Sequence, residues 1–328
     1  MRTMFMRTTI SPYALAAAML ALMPSLAEAQ SWPSRPITMI VPFGAGGSID
    51  IPARRLAAEL TQKLGQQVVV ENRSGANGNI GGAYVAKSNP DGYTVMFAPP
   101  GVLATNRFMY KNMPFDSDKA FAPIVLLAKS PLVLVAHPKV PVRNLQDLIA
   151  HAKANPGKLS IATPGIGSQA HLTMELLQRN SGTRINYVPY RGAAGSSADV
   201  IGGQIDLSIN FTPALVAPLK VGSLRGLAVT TLSRSKQLPD IPTISESGIP
   251  GFESVAYYSV VAPAGTPREI ILTLNRLINE YIESDIGRRQ LESGDMQAAG
   301  GTPEDLQKFI ASEVAKWGPV IKAAGIAM

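Results

Sequence analysis

Three stretches of the sequence place small residues directly after a predicted strand and directly before a predicted helix. They run from Gly44 to Asp50, from Thr163 to Gln169 and from Arg191 to Ser197. A helix that begins at such a turn presents unpaired backbone N–H groups and the positive end of its dipole, and both favour a bound anion. The turns therefore predict the binding of a carboxylate or a phosphate. Ordinary turn geometry remains the alternative, because glycine is also needed wherever φ is positive.

The first turn shows the pattern most clearly. Residues 37–41 form a short apolar run between prolines, which is typical of a buried strand. Apolar residues then recur at helical spacing up to Leu64, with Pro52 in the first helical turn and Ser48 or Asp50 as the predicted N-cap. The pattern predicts a strand, a glycine-rich turn and an open helix N-terminus.

The second and third turns carry serines at the predicted helix starts. Ser168 and Ser197 are natural N-caps, and their hydroxyl groups could also reach a bound oxygen. Hydrogen bonds to a charged group contribute about 1.5–3 kcal/mol each, and micromolar affinity needs about 8 kcal/mol. A few such bonds, from turns that converge on one ligand, therefore suffice without an arginine.

Signatures of common enzymes are missing from the sequence. The dinucleotide fingerprint fails because Ile49 stands where its third glycine is needed, and no Walker lysine follows the first turn. The cysteine count is 0, which excludes thiol chemistry and cysteine zinc sites. A catalytic role for His171 stays open beside a place on the cleft wall. Asp206 fits either a cleft or a strand end, and Tyr257 and Tyr258 fit either a cleft or the core.

Length and composition set the broad class of the protein. The chain has 328 residues, 46% hydrophobic and 16% charged, which is enough for two domains with their own cores. The formal net charge is +7, but lysine and arginine are dispersed without a run. Nucleic-acid binding is therefore not predicted.

The N-terminus reads as a secretory signal. Arg2 and Arg7 precede an apolar stretch at residues 13–23, and small residues then lead to a predicted cleavage site between Ala29 and Gln30. A membrane anchor is the alternative, but the apolar stretch is short for a spanning helix. A cysteine-free exported protein fits a Gram-negative periplasm, so we expect residues 1–29 to be a signal peptide and the mature chain to be periplasmic.

The order of the predicted elements indicates an α/β protein with two lobes. Short apolar runs alternate with amphipathic helices along the mature chain, which favours largely parallel sheets. We assign residues 30–136 and 254–328 to a discontinuous first lobe and residues 137–253 to an inserted second lobe. Two crossover strands would form the hinge, and a ligand would lie in the cleft at the carboxyl ends of the strands.

Several motifs together resemble one known family, the Bug extracytoplasmic solute receptors, which are the binding components of tripartite tricarboxylate transporters. The resemblance runs in order over essentially the whole mature chain. The matching motifs are Trp32-Pro33-x-Arg35-Pro36-Ile37, Val41-Pro42-Phe43-x-x-Gly46-Gly47-Ser48-x-Asp50, Glu71-Asn72-Arg73-x-Gly75-Ala76-x-Gly78-Asn79-Ile80-Gly81, Pro90-Asp91-Gly92-Tyr93-Thr94, Val188-Pro189-Tyr190-Arg191-Gly192 and Gly202-Gly203-Gln204-Ile205-Asp206.

The resemblance implies a periplasmic-binding-protein type II-like receptor that closes on a small organic carboxylate and delivers it to the membrane subunits of a transporter. Such a receptor is not an enzyme and needs no cofactor or metal, and we expect a monomer because a closing cleft needs free lobes. The turns and the resemblance together give a set of candidate ligand-binding residues. They are Phe43, Gly44, Ala45, Gly46, Gly47, Ser48, Asp50, Pro99, Thr163, Gly167, Ser168, Gln169, Ala193 and Asp206. For Asp50 the alternative is that it caps the helix and orders the turn without contacting the ligand.

One departure from the family pattern bears on the ligand. Small hydroxyl residues are common in the family after the third strand, whereas this chain has Ala98-Pro99-Pro100-Gly101. Fewer donors there would suit a ligand whose far end is less polar. Two other functions stay open, a periplasmic enzyme that acts on an organic acid and a sensory receptor that presents its ligand to a kinase.

Overall fold

The computed structural model describes residues 32–190 and 193–328. The predicted signal peptide, residues 1–29, and the predicted cleavage site lie outside these ranges. In chain order, the strands are β1 (Ile37–Val41), β2 (Val68–Asn72), β3 (Thr94–Ala98), β4 (Phe121–Ser130), β5 (Leu132–Ala136), β6 (Ser160–Thr163), β7 (Asn186–Pro189), β8 (Leu207–Phe211), β9 (Arg225–Val229), β10 (Ala256–Pro263) and β11 (Gln297–Gly300).

The helices follow the strands at nearly every step of the chain. They are α1 (Asp50–Leu64), α2 (Asn79–Ala86), α3 (Asn106–Met109), α4 (Leu145–Ala154), α5 (Gln169–Ser181), α6 (Ala193–Ile201), α7 (Thr212–Lys220), α8 (Arg268–Glu283), α9 (Asp285–Ser293) and α10 (Pro303–Ala324). A 3₁₀ turn at Ala76–Gly78 precedes α2, and a π-helical turn at Gly101–Thr105 precedes α3.

The strands form two sheets, which confirms the predicted α/β fold. The first has the order β11-β4-β10-β3-β1-β2 and the second the order β7-β6-β8-β5-β9. Among the strands that the structure describes, the parallel pairs are those of β1 with β2 and β3 and those of β6 with β7 and β8. The expectation of mainly parallel sheets is therefore wrong, and both sheets are mixed. β10 brings the chain back from the second sheet, so it runs against β3 and β4, which lead towards that sheet.

The chain crosses between the sheets at two neighbouring points. β4 ends in the first sheet at Ser130, and β5 begins in the second at Leu132. The return passes Ser254, whose backbone N–H donates to the carbonyl of Thr230 at 2.9 Å. The predicted start of the second lobe at residue 137 places β5 in the first lobe, whereas this strand belongs to the second sheet. In the sequence, the apolar residues of β5 look like a continuation of β4.

Each sheet buries its own apolar core, and a third cluster joins the two halves. All eight residues of β10 are buried, as its central place in the first sheet requires. Between the halves, Leu172 of α5 packs with Trp317 and Ile321 of α10. Helix α10 therefore contacts both sheets' layers, so the crossover strands are not the sole connection between them. Within the described ranges, none of the helices combines the length and the apolar character that a membrane span requires.

Candidate ligand-binding site

A cavity of about 360 Å³ lies where the carboxyl ends of β1 and β3 face those of β6 and β8. Both sheets contribute to its walls, and the start of β10 lies beside the crossover. The described residues that line it are Phe43, Gly44, Gly47, Ser48, Ile49, Asn77, Pro99, Pro100, Gly101, Thr105, Gly167, Ser168, Gln169, Phe211, Ala256, Tyr257 and Tyr258. A cavity therefore lies at the predicted position of the cleft.

The first glycine turn is held in shape by the buried side chain of Asp50. Its Oδ2 accepts from the backbone N–H of Gly46 at 2.9 Å and from Nε of Arg54 at 2.8 Å. Its Oδ1 accepts from Nδ2 of Asn72 at 2.8 Å, and the same amide donates to the carbonyl of Phe43 at 2.9 Å. Asp50 is 2% exposed. The carboxylate therefore orders the turn from behind and does not line the cavity.

Ionisation of Asp50 suits this role. Burial raises the pKa of its carboxyl, but hydrogen bonds from Arg54, the Gly46 amide and Asn72 outweigh burial, and the net pKa lies below the usual value. The side chain is therefore a carboxylate at neutral pH. A charged acceptor makes stronger hydrogen bonds to the glycine turn than a neutral one.

The start of α1 differs from the predicted one. The N-cap position is Ile49, which makes no side-chain cap, so the expectation that Ser48 or Asp50 is the N-cap is wrong. The carbonyl of Gly47 accepts the backbone N–H groups of Asp50 and Ile51 instead. Because the capping is done by backbone, the Ser48 side chain is left at the cavity wall.

The second turn is held by Ser168 and His171. Ser168 Oγ accepts from the backbone N–H of His171 at 3.2 Å, as predicted for an N-cap, and donates to the carbonyl of Gly165 at 2.7 Å. Nδ1 of His171 accepts from the backbone N–H of Gly167 at 3.0 Å. Gly167 has φ +72°, which favours glycine. The N–H of Gly167 is therefore already used, and this residue can offer a ligand only its surface.

Other backbone donors at the cavity remain available. In the part of the chain that the structure describes, no acceptor takes the N–H of Gly47, Ser48 or Gln169. All three residues line the cavity, and they come from opposite walls. Unpaired amides at two helix starts give an anion charge-assisted hydrogen bonds.

The cavity wall contains no charged side chain among the described residues that line it. Its polar side chains are the amides of Asn77 and Gln169 and the hydroxyl groups of serine, threonine and tyrosine. Nε2 of Gln169 donates to Ser254 Oγ at 3.0 Å, which ties the second turn to the crossover. An anion in this cavity would therefore be held by backbone and hydroxyl donors rather than by a cation.

The wall after β3 is fixed by buried amides. Nδ2 of Asn106 donates to the carbonyl of Asn77 at 3.0 Å and to Oδ1 of Asn79 at 2.7 Å, and Asn106 is fully buried. This network joins the loop before α2 to the π-helical turn that follows Pro99. Pro99 lines the cavity as predicted, and it has no N–H to offer.

Some predicted residues lie away from the cavity. Asp206 precedes β8, at the end of the strand opposite the cavity, and its Oδ2 accepts from the backbone N–H and the hydroxyl of Ser160. The structure therefore places it as a strand-end carboxylate, the alternative left open by the sequence. The other predicted residues that do not line the cavity are Ala45, Gly46, Asp50 and Thr163.

The third turn is described only in part. Arg191 and Gly192 lie outside the described residues, and so does the side chain of Ala193, with which α6 begins. The predicted role of Ala193 therefore remains a prediction. Ser197 is buried within α6, which begins four residues earlier, so the prediction that it is an N-cap is wrong.

Among the aromatic residues of the wall, Phe43 was predicted, Tyr257 and Tyr258 were left open between the cleft and the core, and Phe211 was not predicted. Tyr258 stacks on Phe97 with 5.8 Å between ring centroids, and burial raises its pKa to about 12, partly offset by hydrogen bonds with Ser48 and Ser130. Tyr257 packs edge-on against Phe309 of α10. Phe211 had one usable signal, since it lies directly between a strand and a helix at the same sheet edge as the glycine turns.

The two-sheet architecture and the interlobe cavity define a bilobal solute-binding protein. A family model described as "Tripartite tricarboxylate transporter family receptor" (TctC) matches residues 52–326. The chain belongs to this family, whose members are receptors rather than enzymes, and the resemblance to Bug receptors is confirmed. BugT of Bordetella pertussis is 39% identical over 299 residues, which are 91% of this chain and 92% of BugT.

Solved structures agree with this assignment. Rpa4515 of R. palustris, determined with adipate, is 40% identical with a TM-score of 0.80, over 90% of this chain and all of that one. MatC from Rhodopseudomonas palustris, with bound malate, is 28% identical with a TM-score of 0.76, over 88% of this chain and all of that one. The structural neighbours therefore include receptors that hold carboxylates.

Proposed function

We propose that this protein captures a small organic carboxylate in the interlobe cavity and delivers it to the membrane subunits of a tripartite tricarboxylate transporter. The observation that carries the proposal is the pair of turns that face one cavity with unpaired amides, at Gly47–Ser48 and at Gln169. Adipate and malate in related structures support a carboxylate as the ligand class.

The proposal assigns different tasks to the two groups of predicted residues. Ser48 and Gln169 would donate to the carboxylate, with Gly44, Gly47 and Ser168 completing the walls. Asp50 and His171 would hold the turns in place from outside the cavity. Binding would close the lobes about the crossover at Ser130–Leu132 and Ser254.

The setting of the receptor belongs to the same proposal. Cleavage after residue 29 would release the mature chain into the periplasm, where it would act as a monomer. Light scattering of residues 30–328 should give a monomer with and without ligand. Uptake of a labelled acid by cells that express the transporter's membrane subunits should require this chain. Uptake that is equal without it would contradict delivery.

A thermal-shift screen of residues 30–328 against carboxylates tests the binding step. A ligand at a hundred times its Kd stabilises the protein by about 2.7 kcal/mol, which for a chain of this size raises the Tm by several degrees. The matched control for each hit is its primary amide, which keeps the shape and removes the charge. We expect a shift with an acid and none with its amide. Equal shifts with both would contradict anion recognition.

A further inference from the structure

A second cavity continues the ligand cavity along the cleft. It measures about 600 Å³ and shares the residues Phe43, Gly47, Ser48, Phe211 and Tyr258 with the first. We call this second space the apolar chamber. It is lined in addition by Ile51, Pro52, Arg55, Ser130, Pro164, Asn210, Pro213, Ala214, Ser293, Gly294 and Met296.

Apolar residues of both lobes form much of the chamber wall. Ile51 and Pro52 belong to the first turn of α1, and Pro213 and Ala214 belong to the first turn of α7. Ile51 is 45% exposed although it directly follows the glycine turn. Apolar side chains that face each other across a cleft gain free energy when an apolar group displaces the water between them.

Two of the polar side chains on the chamber wall, Arg55 and Asn210, make hydrogen bonds within the protein. Nη1 of Arg55 donates to the carbonyl of Gln290 at 2.8 Å and to Ser293 Oγ at 2.9 Å, so this arginine ties α1 to α9. Oδ1 of Asn210 accepts from the backbone N–H of Phe211 at 2.9 Å. A second carboxylate placed in the chamber would lose its hydration, and among the described residues that line the chamber it would meet one cation, Arg55, whose Nη1 already donates to two acceptors.

We propose that the ligand is a monocarboxylate whose apolar chain passes between Phe43 and Phe211 and lies in the apolar chamber. This inference rests on the proposed function, because it assumes that the carboxylate itself binds at the two turns. It adds a binding site for the tail and selects, among organic acids, those with one charged end and an extended apolar body. Pro99, Pro100 and Gly101, which lack hydroxyl groups, line the first cavity and agree with a ligand of low polarity.

A chain-length series tests the proposal by titration calorimetry on residues 30–328. The probes are butanoate, hexanoate and octanoate, each paired with the diacid of the same length. We expect the Kd of the monoacids to fall by up to about four-fold for each added methylene and each monoacid to bind more tightly than its diacid. Equal affinity along the series, or tighter binding of adipate than of hexanoate, would overturn the proposal.

A variant that fills the chamber gives a second test. Ala214→Trp replaces an exposed residue of α7 that lines the chamber but not the first cavity. It should raise the Kd of octanoate at least ten-fold and leave that of butanoate unchanged. Ala311→Trp, at an exposed position of α10 that lines neither cavity, is the matched control and should change neither Kd. An unchanged Kd of octanoate in a folded Ala214→Trp protein would overturn the proposal.

The series also separates this proposal from the proposed function. If short acids bind and long acids bind no better, the chamber is refuted and carboxylate capture stands. If no acid of any length binds, both are refuted.

Discussion

Nδ1 of His171 accepts the backbone N–H of Gly167 at 3.0 Å, so a side chain one turn into α5 holds the loop that faces the ligand cavity. The proton of this neutral imidazole then lies on Nε2, 3.7 Å from Oε1 of Glu175. The ring packs edge-on against Tyr187 with 4.5 Å between centroids. The histidine is therefore a positioning residue and not a catalyst.

Replacement of His171 should weaken ligand binding through the loop. His171→Ala removes the acceptor of the Gly167 N–H, and the loss of about one hydrogen bond should raise the Kd of the carboxylate about five- to ten-fold. In His171→Asn the amide oxygen can replace Nδ1 as the acceptor, so this variant should bind nearly as the wild type does. Calorimetric titration measures both. Equal loss in the two variants would show that the imidazole acts in some other way.

The same histidine should make stability depend on pH. Burial lowers the pKa of His171 below its usual 6.5. The unfolded chain therefore binds a proton more readily, so the contribution of His171 is fully present above about pH 6.5 and is lost as the pH falls through the lowered pKa. Denaturant unfolding at pH 7 and pH 5 should show a larger loss of stability in the wild type than in His171→Asn.

The pKa of the neighbouring Glu175 is shifted in the opposite direction. Burial raises the pKa of its carboxyl, so its contribution is present below the usual pKa of 4.5 and is lost as the pH rises through the raised value. Both proteins in the comparison keep Glu175, so the difference between them isolates the histidine. If the stability of the two proteins changed identically with pH, the result would contradict a pKa of His171 that is lowered by burial.

Removal of the buried carboxylate of Asp50 should lower the free energy of unfolding more than removal of its exposed partner, the guanidinium group of Arg54. Asp50→Ala removes the acceptor of Gly46, Arg54 and Asn72, and urea unfolding should show a loss of about 1–3 kcal/mol together with weaker ligand binding. Arg54→Ala is the control, since Arg54 is 49% exposed and should cost at most about 1 kcal/mol. A larger loss of stability in Arg54→Ala than in Asp50→Ala would contradict this role, because it would show that Asp50 stabilises the protein through the ion pair and not through the turn.

The C-terminal residues should support the second turn from the first lobe. The N–H of Met328 donates to the carbonyl of Met109 at 2.9 Å, and a Cβ on Gly167 would lie 2.8 Å from Met109 Sδ and 3.4 Å from Met328 Cε. Deletion of residues 326–328 also exposes the site of the buried Ile326. We expect the free energy of unfolding to fall by about 1.5–3 kcal/mol and the Kd of the ligand to rise.

Met328→Leu is the matched control for this deletion. It keeps the backbone hydrogen bond to Met109 and most of the side-chain volume, so both the stability and the Kd should stay near those of the wild type. A deletion that lowers stability but leaves the Kd unchanged would separate the C-terminus from the binding turn.

Local patterns in the sequence were enough to locate the two turns that line the cavity. Gly47 follows a buried strand and precedes an amphipathic helix, and Ser168 has the N-cap chemistry of a helix start, so their neighbours along the chain determine what they do. Both residues line the cavity. Pro99 lines the cavity for the same reason, since it directly follows a strand at the same edge of the sheet.

Other features depend on contacts between distant parts of the chain. The direction of β10 decides whether the first sheet is mixed, and an apolar run carries no sign of direction. Asp206 was a candidate because it follows glycines, but it lies at the start of β8, and the cleft lies at the other end of that strand. Phe211 and Tyr258 line the cavity because the two lobes meet there. Hydrophobic periodicity does not show which residues of distant segments lie together.

The most direct test of the account is a crystal structure of residues 30–328 with the tightest-binding carboxylate. The account predicts both carboxylate oxygens in the interlobe cavity, within about 2.7–3.2 Å of backbone nitrogens. These nitrogens should belong to Gly47 or Ser48 on one wall and to Gln169 on the other. A carboxylate that is held by lysine or arginine side chains, or that lies outside this cavity, would contradict it.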